Sequence, residues 1–238
     1  MAQTQTLALI AGAGPGLGQA LMHRAVQGGH RTIGFTRSES QAQVGNQQVG
    51  RSSVGSRVLQ LDLADPQAVS QQVKELIGLY GAPELVIHNT AQLSIAPFLE
   101  SEAQTFEALW RNMVLSAFNL AQAVLPAMVQ AGRGSFLVSG ATASLRGSAN
   151  FAAFSSAKFA LRGLTQSLAR EFQPKGLHIA HIILDGLIDT PASRARTGRD
   201  PARMMKPEDI AEAYWNLAHQ PLSTWTQELD LRPQSETF

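Results

Sequence analysis

The stretch Leu7–Gly18, LALIAGAGPGLG, joins an apolar run to alternating glycines and leads into a helical pattern. Leu7, Ala8, Leu9 and Ile10 have the apolar density of a parallel strand covered on both faces. Gly12, Gly14, Gly16 and Gly18 then leave a backbone without Cβ atoms, so that a bulky anion such as a pyrophosphate can come close. A helix over roughly 16–28 would present unpaired N–H groups and a positive dipole end at this turn. The glycines do not fit G-x-G-x-x-G, because Leu17 stands at its third glycine; they fit G-x-x-x-G-x-G at Gly12, Gly16 and Gly18.

The rest of the chain alternates strand and helix. His30–Phe35 is β-like and ends at Thr36 and Arg37, whereas the polar segment Ser38–Ser56 supports only a weak helix or a loop. Arg57–Leu63 alternates as a third strand with Asp62 at its end, and Asp65-Pro66 is a helix start of N-cap plus first helical residue, the helix running to about Leu79. Glu84–His88 is a fourth strand. Ser101 to about Gly132 is a long helical stretch that Pro126 is expected to kink near its end. Gly134–Ser139 and Leu177–Leu184 are further strands around a helix at Asn150–Phe172, which carries Ala, Phe and Leu at helical spacing. A loop over Asp185–Lys206, a helix over Pro207–Ala218 and a strand around Gln227–Leu231 complete the pattern. Such alternation gives one doubly wound parallel α/β domain of the Rossmann kind over 1–238, with ligands bound beyond the C-terminal ends of the strands. At the end of the second strand an acidic residue would accept from a ribose 2′-hydroxyl; Arg37 instead suits a 2′-phosphate and favours NADP(H) over NAD(H).

A net charge of +1, with acids and bases interspersed, gives no field that implies nucleic acid or an anionic membrane, so a small molecule is the expected partner. The absence of cysteine excludes disulfides, thiolate metal sites and cysteine nucleophiles and fits a reducing cytoplasm. The start, MAQTQT, lacks the features of a secretory signal, and no apolar run in the sequence reads as long enough to span a membrane. His88 at a strand end reads as structural, and His178 and His181 have no metal partners by spacing. Neither G-x-S-x-G nor H-E-x-x-H is present, and no spacing demands acid-base work by Asp185, Asp189 or His88.

Taken in order, the glycine loop, Asp62, His88-Asn89-Thr90-Ala91, Asn112, the strand GSFLVS and FAAFSSAK at 151–158 resemble a short-chain dehydrogenase/reductase from about Leu7 to Leu231. The resemblance implies a single-domain fold with seven strands and a nicotinamide cofactor. It also implies a homodimer or homotetramer built through the helices near 101–131 and 150–172. Cofactor contacts are implied at Gly12, Gly14, Gly16, Leu17, Gly18, Arg37, Asp62, Leu63, Asn89, Lys158 and Thr190. Asn89 matches the second asparagine of the family's N-N-A-G motif, from which His88, Thr90 and Ala91 depart.

The catalytic half of the resemblance is broken. The family uses a serine, a tyrosine and a lysine, supported by an asparagine from the long helix. In Y-x-x-x-K the two ends share a helix face, so that the lysine lowers the phenol's pKa and holds the ribose. Here the motif reads Phe154-Ser155-Ser156-Ala157-Lys158, and the family's interval back from Phe154 lands on Ala141. Asn112 and Lys158 remain, Lys158 foremost as a ribose ligand. Ser139, Thr142, Ser144 and Ser155 lie nearby; Thr142 and Ser144 read first as turn hydrogen-bonders. In the loop 185–206, Asp185 stands where family members often carry proline. Arg194, Arg196, Arg199, Arg203 and Lys206 could capture an anionic substrate, although a solvated loop with its charges offset by Asp200 and neighbouring acids is the plainer reading. Hydride transfer to or from a carbonyl or alcohol is the inherited chemistry. Its rival is a catalytically silent dinucleotide-binding sensor or assembly subunit.

Overall fold

The computed structural model describes residues 5–49 and 55–236; the first four residues of the start MAQTQT, and 50–54 of the polar segment, lie outside the described residues. The first half alternates β1 (Leu7–Ala11), α1 (Leu17–Gln27), β2 (Arg31–Thr36), α2 (Glu39–Val49), β3 (Arg57–Gln60), α3 (Pro66–Tyr80) and β4 (Pro83–His88). After α4 (Ala103–Trp110) and α5 (Ser116–Ala131) come β5 (Ser135–Ser139), α6 (Ala152–Phe172) and β6 (His178–Leu184). The chain closes with α7 (Pro191–Thr197), α8 (Pro207–Ala218) and β7 (Glu228–Leu231). The seven strands form one parallel sheet in the order β3-β2-β1-β4-β5-β6-β7. Because the chain leaves β1 toward one edge and later resumes beside β1 with β4, a crevice opens between these two strands, where open α/β sheets bind ligands.

The apolar run that opens the chain behaves as a central strand should. Leu7, Leu9 and Ala11 enter the core shared with α3, α5 and α6, while Ala8 and Ile10 enter the core shared with α1 and α8. Parallel strands buried on both faces read as continuous apolar runs for this reason. Asp65 caps α3 as expected, its carboxylate accepting from the N–H groups of Gln67 (2.9 Å) and Ala68 (3.1 Å).

Five expectations are corrected or narrowed. The segment after Arg37 contains a full helix, α2, whose polar composition hid it; Ala42 is buried against the sheet and Asn46 pairs with Val58 of β3 through both its amide groups. The third strand stops at Gln60, so Asp62 sits beyond it in the turn. The long helix does not break at Pro126, which lies inside α5; its irregularity is a π-helical turn at Arg111–Leu115. The loop 185–206 contains α7, started by Thr190 and Pro191. The continuous helical stretch Ala103–Ala131 also reaches a length and a mean hydropathy, 1.4, that would pass for a membrane span, contrary to the sequence reading. It is apolar because Leu109, Met113, Val114, Ala117, Leu120 and Val124 fill the core under the sheet.

The β1–α1 turn allows no side chain where α1 begins. A Cβ on Gly18 would lie 2.1 Å from the Gly12 carbonyl oxygen, and one on Gly12, whose φ is +82°, would lie 2.7 Å from that of Asn89. Gly18→Ala is therefore expected to lower stability by about 1–3 kcal/mol through overpacking against backbone that cannot give way. Urea unfolding followed by circular dichroism checks this, and an unchanged midpoint contradicts it.

Candidate active site

A groove of about 370 Å³ runs along the crevice at the C-terminal ends of β1, β2 and β4. Gly12, Gly14, Leu17 and Gly18 line it together with Arg37, Asp62-Leu63, Asn89, Thr90, Asn112 and Thr190. No side chain caps the N-terminus of α1 at Gly16, so the first N–H groups of that helix remain for an anionic ligand. A Cβ on Gly14 would meet only the Gln41 side chain, 3.5 Å away, so this part of the cradle is open. The groove thus has the parts that a dinucleotide needs, glycine backbone and a helix N-terminus for the phosphates and a turn at Asp62-Leu63 for a ring edge, with Arg37 on its wall.

Most residues named from the sequence meet here. The Asp62 carboxylate accepts from the Ala64 N–H at 2.9 Å, which holds the turn open toward the groove. Asn89 donates to the Gly12 carbonyl (3.4 Å) and accepts from Ser139 Oγ (2.8 Å), tying the glycine loop to the end of β5. Thr190 lines the groove, packs its methyl group on Gly16, and uses its hydroxyl to cap α7 through the Ser193 N–H at 3.1 Å. Arg37 spans the groove and donates to Asn112 Oδ1 at 2.6 Å. Groove residues missed in the sequence, such as Gln41, Ser116, Ile188 and Ser193, lie in segments without a periodic signal or on helix faces that read as ordinary polar surface.

The π-helical turn has a chemical consequence. It moves the Ser116 N–H onto the Arg111 carbonyl, and the Asn112 carbonyl accepts instead from Ser116 Oγ (2.6 Å) and Thr90 Oγ1 (2.9 Å). Both hydroxyls also lie within 2.9 Å of His88 Nε2. With both hydroxyls placed to donate to the Asn112 carbonyl, Nε2 is the ring atom left to donate to them. Burial, reinforced by the Lys158 charge, lowers the His88 pKa to about 3, and the same causes lower that of His181 to about 4. These histidines are structural, as the sequence reading held for His88.

Lys158, Phe154 and Ala141 do not line the groove. Lys158 is 2% exposed, its ammonium donates to the Ser139 carbonyl at 2.8 Å, and burial lowers its pKa to about 8. The Phe154 ring sits one helical turn away, 5.8 Å from Nζ. The chain has two tyrosines, and neither replaces the phenol. Tyr214 is buried beneath the sheet, hydrogen-bonded to Ser139 Oγ at 2.8 Å with its pKa raised by burial, and Tyr80 ends α3 under the Arg31 guanidinium. Ser144 behaves as the turn residue expected, accepting from the Ala141 N–H at 3.2 Å, whereas Thr142 donates to the Asp185 carboxylate. In the basic loop, Arg194 is clamped on Asp189 and Arg199 on Glu236; Asp200, expected to offset them, instead caps a short turn at Ala202.

The short chain dehydrogenase family matches residues 6–200. The chain belongs to that family. Among curated relatives of this short-chain dehydrogenase, a 3-oxoacyl-[acyl-carrier-protein] reductase of Escherichia coli is 25% identical over 79% of this chain and 76% of its own. An uncharacterized oxidoreductase of Staphylococcus aureus is 24% identical over 97% and 98%. A short-chain dehydrogenase from Rhodopseudomonas palustris, 31% identical, superposes with a TM-score of 0.81 over 97% of this chain and 99% of that one. A structure described as ElxO with NADP bound, 18% identical, shares the fold at a TM-score of 0.87 over 96% and 97%.

The buried neutral histidines fix the sign of the acid response. A folded pKa below the unfolded value of about 6.5 means that the unfolded chain takes up the proton first. Their contribution to stability is whole above pH about 6.5 and is lost as pH falls toward 4 and then 3. Urea midpoints at pH 7.5 and 5 are expected to fall on acidification, and less steeply in His88→Asn. Equal slopes in the two proteins contradict the assignment to His88.

Proposed function

We propose that this short-chain dehydrogenase binds NADP(H) in the groove and transfers hydride between it and a carbonyl or alcohol substrate, with an active site that departs from the family's usual one. The observation that supports this best is the groove itself, which offers open glycine backbone, a free helix N-terminus and Arg37 in one line. When bound, the cofactor supplies the hydride or accepts it. Gly12, Gly14, Gly16, Leu17 and Gly18 would hold its phosphates and Arg37 its 2′-phosphate, with Asp62, Leu63, Asn89 and Thr190 orienting the rest. Lys158, enclosed and donating to the Ser139 carbonyl, would hold the ribose only by giving up that bond, and Asn112 would support the reacting end. Phe154 and Ala141 supply no proton, so the site positions its reactants without the usual phenol. Loss of a general acid removes about 10²–10⁴ in rate, while orientation alone can still supply on the order of 7 kcal/mol, which leaves slow transfer feasible.

The second reading, a silent dinucleotide-binding protein, is favoured by the enclosure of Lys158 and by the occupied tyrosines. In either case we assign the protein to the cytoplasm, as a homodimer or homotetramer joined through α4–α6, where Phe106, Trp110, Phe118 and Phe159 are exposed. With Arg194 and Arg199 engaged by acids, an anionic substrate would have to be met by Arg196, Arg203 or Lys206.

Fluorescence titration is expected to give tighter binding of NADPH than NADH, a preference that Arg37→Ala reduces on the order of 10- to 100-fold, the worth of a charged hydrogen bond. In the same protein, Ala141→Ser with Phe154→Tyr is expected to raise carbonyl reduction. Preference for NADH removes the role of Arg37. Binding without any single-turnover NADPH oxidation establishes the silent reading.

A further inference from the structure

If the site transfers hydride, as proposed above, some group must handle the proton of the reacting oxygen, and the hydroxyls near Ala141 can be sorted by what they already do. Ser139 Oγ is engaged by Asn89 and Tyr214, and Ser144 Oγ by the Ala141 N–H and by His181 Nε2 at 3.0 Å. Ser155 Oγ is buried with no hydrogen-bond partner among the described residues, so no acceptor stands ready to take a proton from it, and Ser156 Oγ is turned back onto the Ala153 carbonyl at 2.9 Å. Thr142 is half-buried, and its hydroxyl is spent on one partner, the carboxylate of Asp185.

The fold sets this pair beyond the C-terminal ends of β5 and β6, beside the groove but not among the residues that line it. β5 and β6 end side by side, with Ser139 opposite Ile182 and the Gly140 N–H on the Ile182 carbonyl at 2.6 Å. Thr142 and Asp185 each lie three residues beyond that pairing, at the C-terminal ends of the strands. α6, which carries Phe154 and Lys158, packs on the turn that Thr142 opens. Asp185 is 4% exposed and is held from three sides: by Thr142, by its own N–H on the Leu231 carbonyl at 2.8 Å, and by the Arg232 guanidinium 3.3 Å from Oδ2. Arg232 is itself divided between Asp185 and Asp230. A carboxylate only accepts, so the Thr142 proton points at Asp185 and the lone pairs of Oγ1 are left without a donor among the hydrogen bonds described.

We propose that Thr142 and Asp185 are the oxygen-handling pair of this site and that the substrate they take is an alcohol. Thr142 Oγ accepts the hydrogen bond of the substrate hydroxyl. Bound NADP⁺ would take up the hydride that the carbinol carbon gives up, and the O–H electron pair would become the second bond of the carbonyl. The substrate proton passes to Thr142 Oγ, whose own proton passes to Asp185, leaving a neutral carboxyl. Carbonyl reduction is the same sequence reversed.

The test has two readouts. Binding of 2,2,2-trifluoroethanol, an alcohol that resists oxidation, is followed by ¹⁹F NMR on the protein without nucleotide. Oxidation of an alcohol panel is followed with NADP⁺. Thr142→Val is expected to weaken trifluoroethanol binding at least threefold and to lower turnover by about 10²–10⁴, as for loss of a positioned proton-transfer group. Thr142→Ser keeps both, and Asp185→Ala loses turnover that added formate restores. Should Thr142→Val not fold, Thr142→Ala carries the same test. Unchanged trifluoroethanol binding and turnover in the valine or alanine variant, or an Asp185→Ala enzyme insensitive to formate, overturns the proposal. Failure of NADP(H) to bind the unmodified protein refutes the cofactor reading instead, while the ¹⁹F measurement still decides on Thr142.

Discussion

The contact between Gly18 and the Gly12 carbonyl governs the geometry of the site. With no Cβ at Gly18, the first turn of α1 lies directly on the end of β1, and its free N–H groups face the crevice instead of solvent. Asn89 then fastens the same loop to Ser139, and Ser139 is fastened in turn to Tyr214 of α8. A single hydrogen-bonded line therefore runs from the glycine loop through the end of β5 to the far face of the sheet. Lys158 joins it by donating to the Ser139 carbonyl. The groove and the enclosed lysine are two ends of one rigid assembly, built from the C-terminal ends of neighbouring strands.

What could be read in the chain depended on whether a local pattern or a distant partner decided the structure. Leu7–Ala11 declares a central strand because both faces are apolar, and Asp65-Pro66 declares a helix start because cap and first turn are adjacent in sequence. α2 was hidden because its helical face is mostly Gln and Ser, and what seats it is Asn46 reaching across to Val58. The π-helical turn left no mark in the sequence, because the Thr90 hydroxyl that takes up its freed Asn112 carbonyl comes from the end of a distant strand. Arg37 and Thr190 both line the groove, yet the partner of Arg37, Asn112, comes from a segment that no spacing links to it.

On the proposed reading, the site is divided unevenly between what the family fold supplies and what this chain has changed. Its binding half, from Gly12 to Asp62 and Asn89, depends on backbone shape and on one arginine, and it stands open. Its reacting half has an aromatic ring without a hydroxyl, a lysine closed off by burial, and a threonine paired with a carboxylate. Burial alone accounts for the low pKa of Lys158, and the same ammonium reinforces the neutrality of His88 and His181. A charge balance of this kind tolerates the loss of the phenol, because the phenol's usual partner is already satisfied by a backbone carbonyl.

The central claim is that the groove over the glycine loop is a dinucleotide site. A crystal structure determined after soaking with NADP⁺ tests it most directly. The pyrophosphate is expected against the N-terminus of α1, with the 2′-phosphate on Arg37 drawn away from Asn112 and the adenine beside Asp62 and Leu63. An empty groove at saturating nucleotide, or nucleotide bound elsewhere on the molecule, would contradict it.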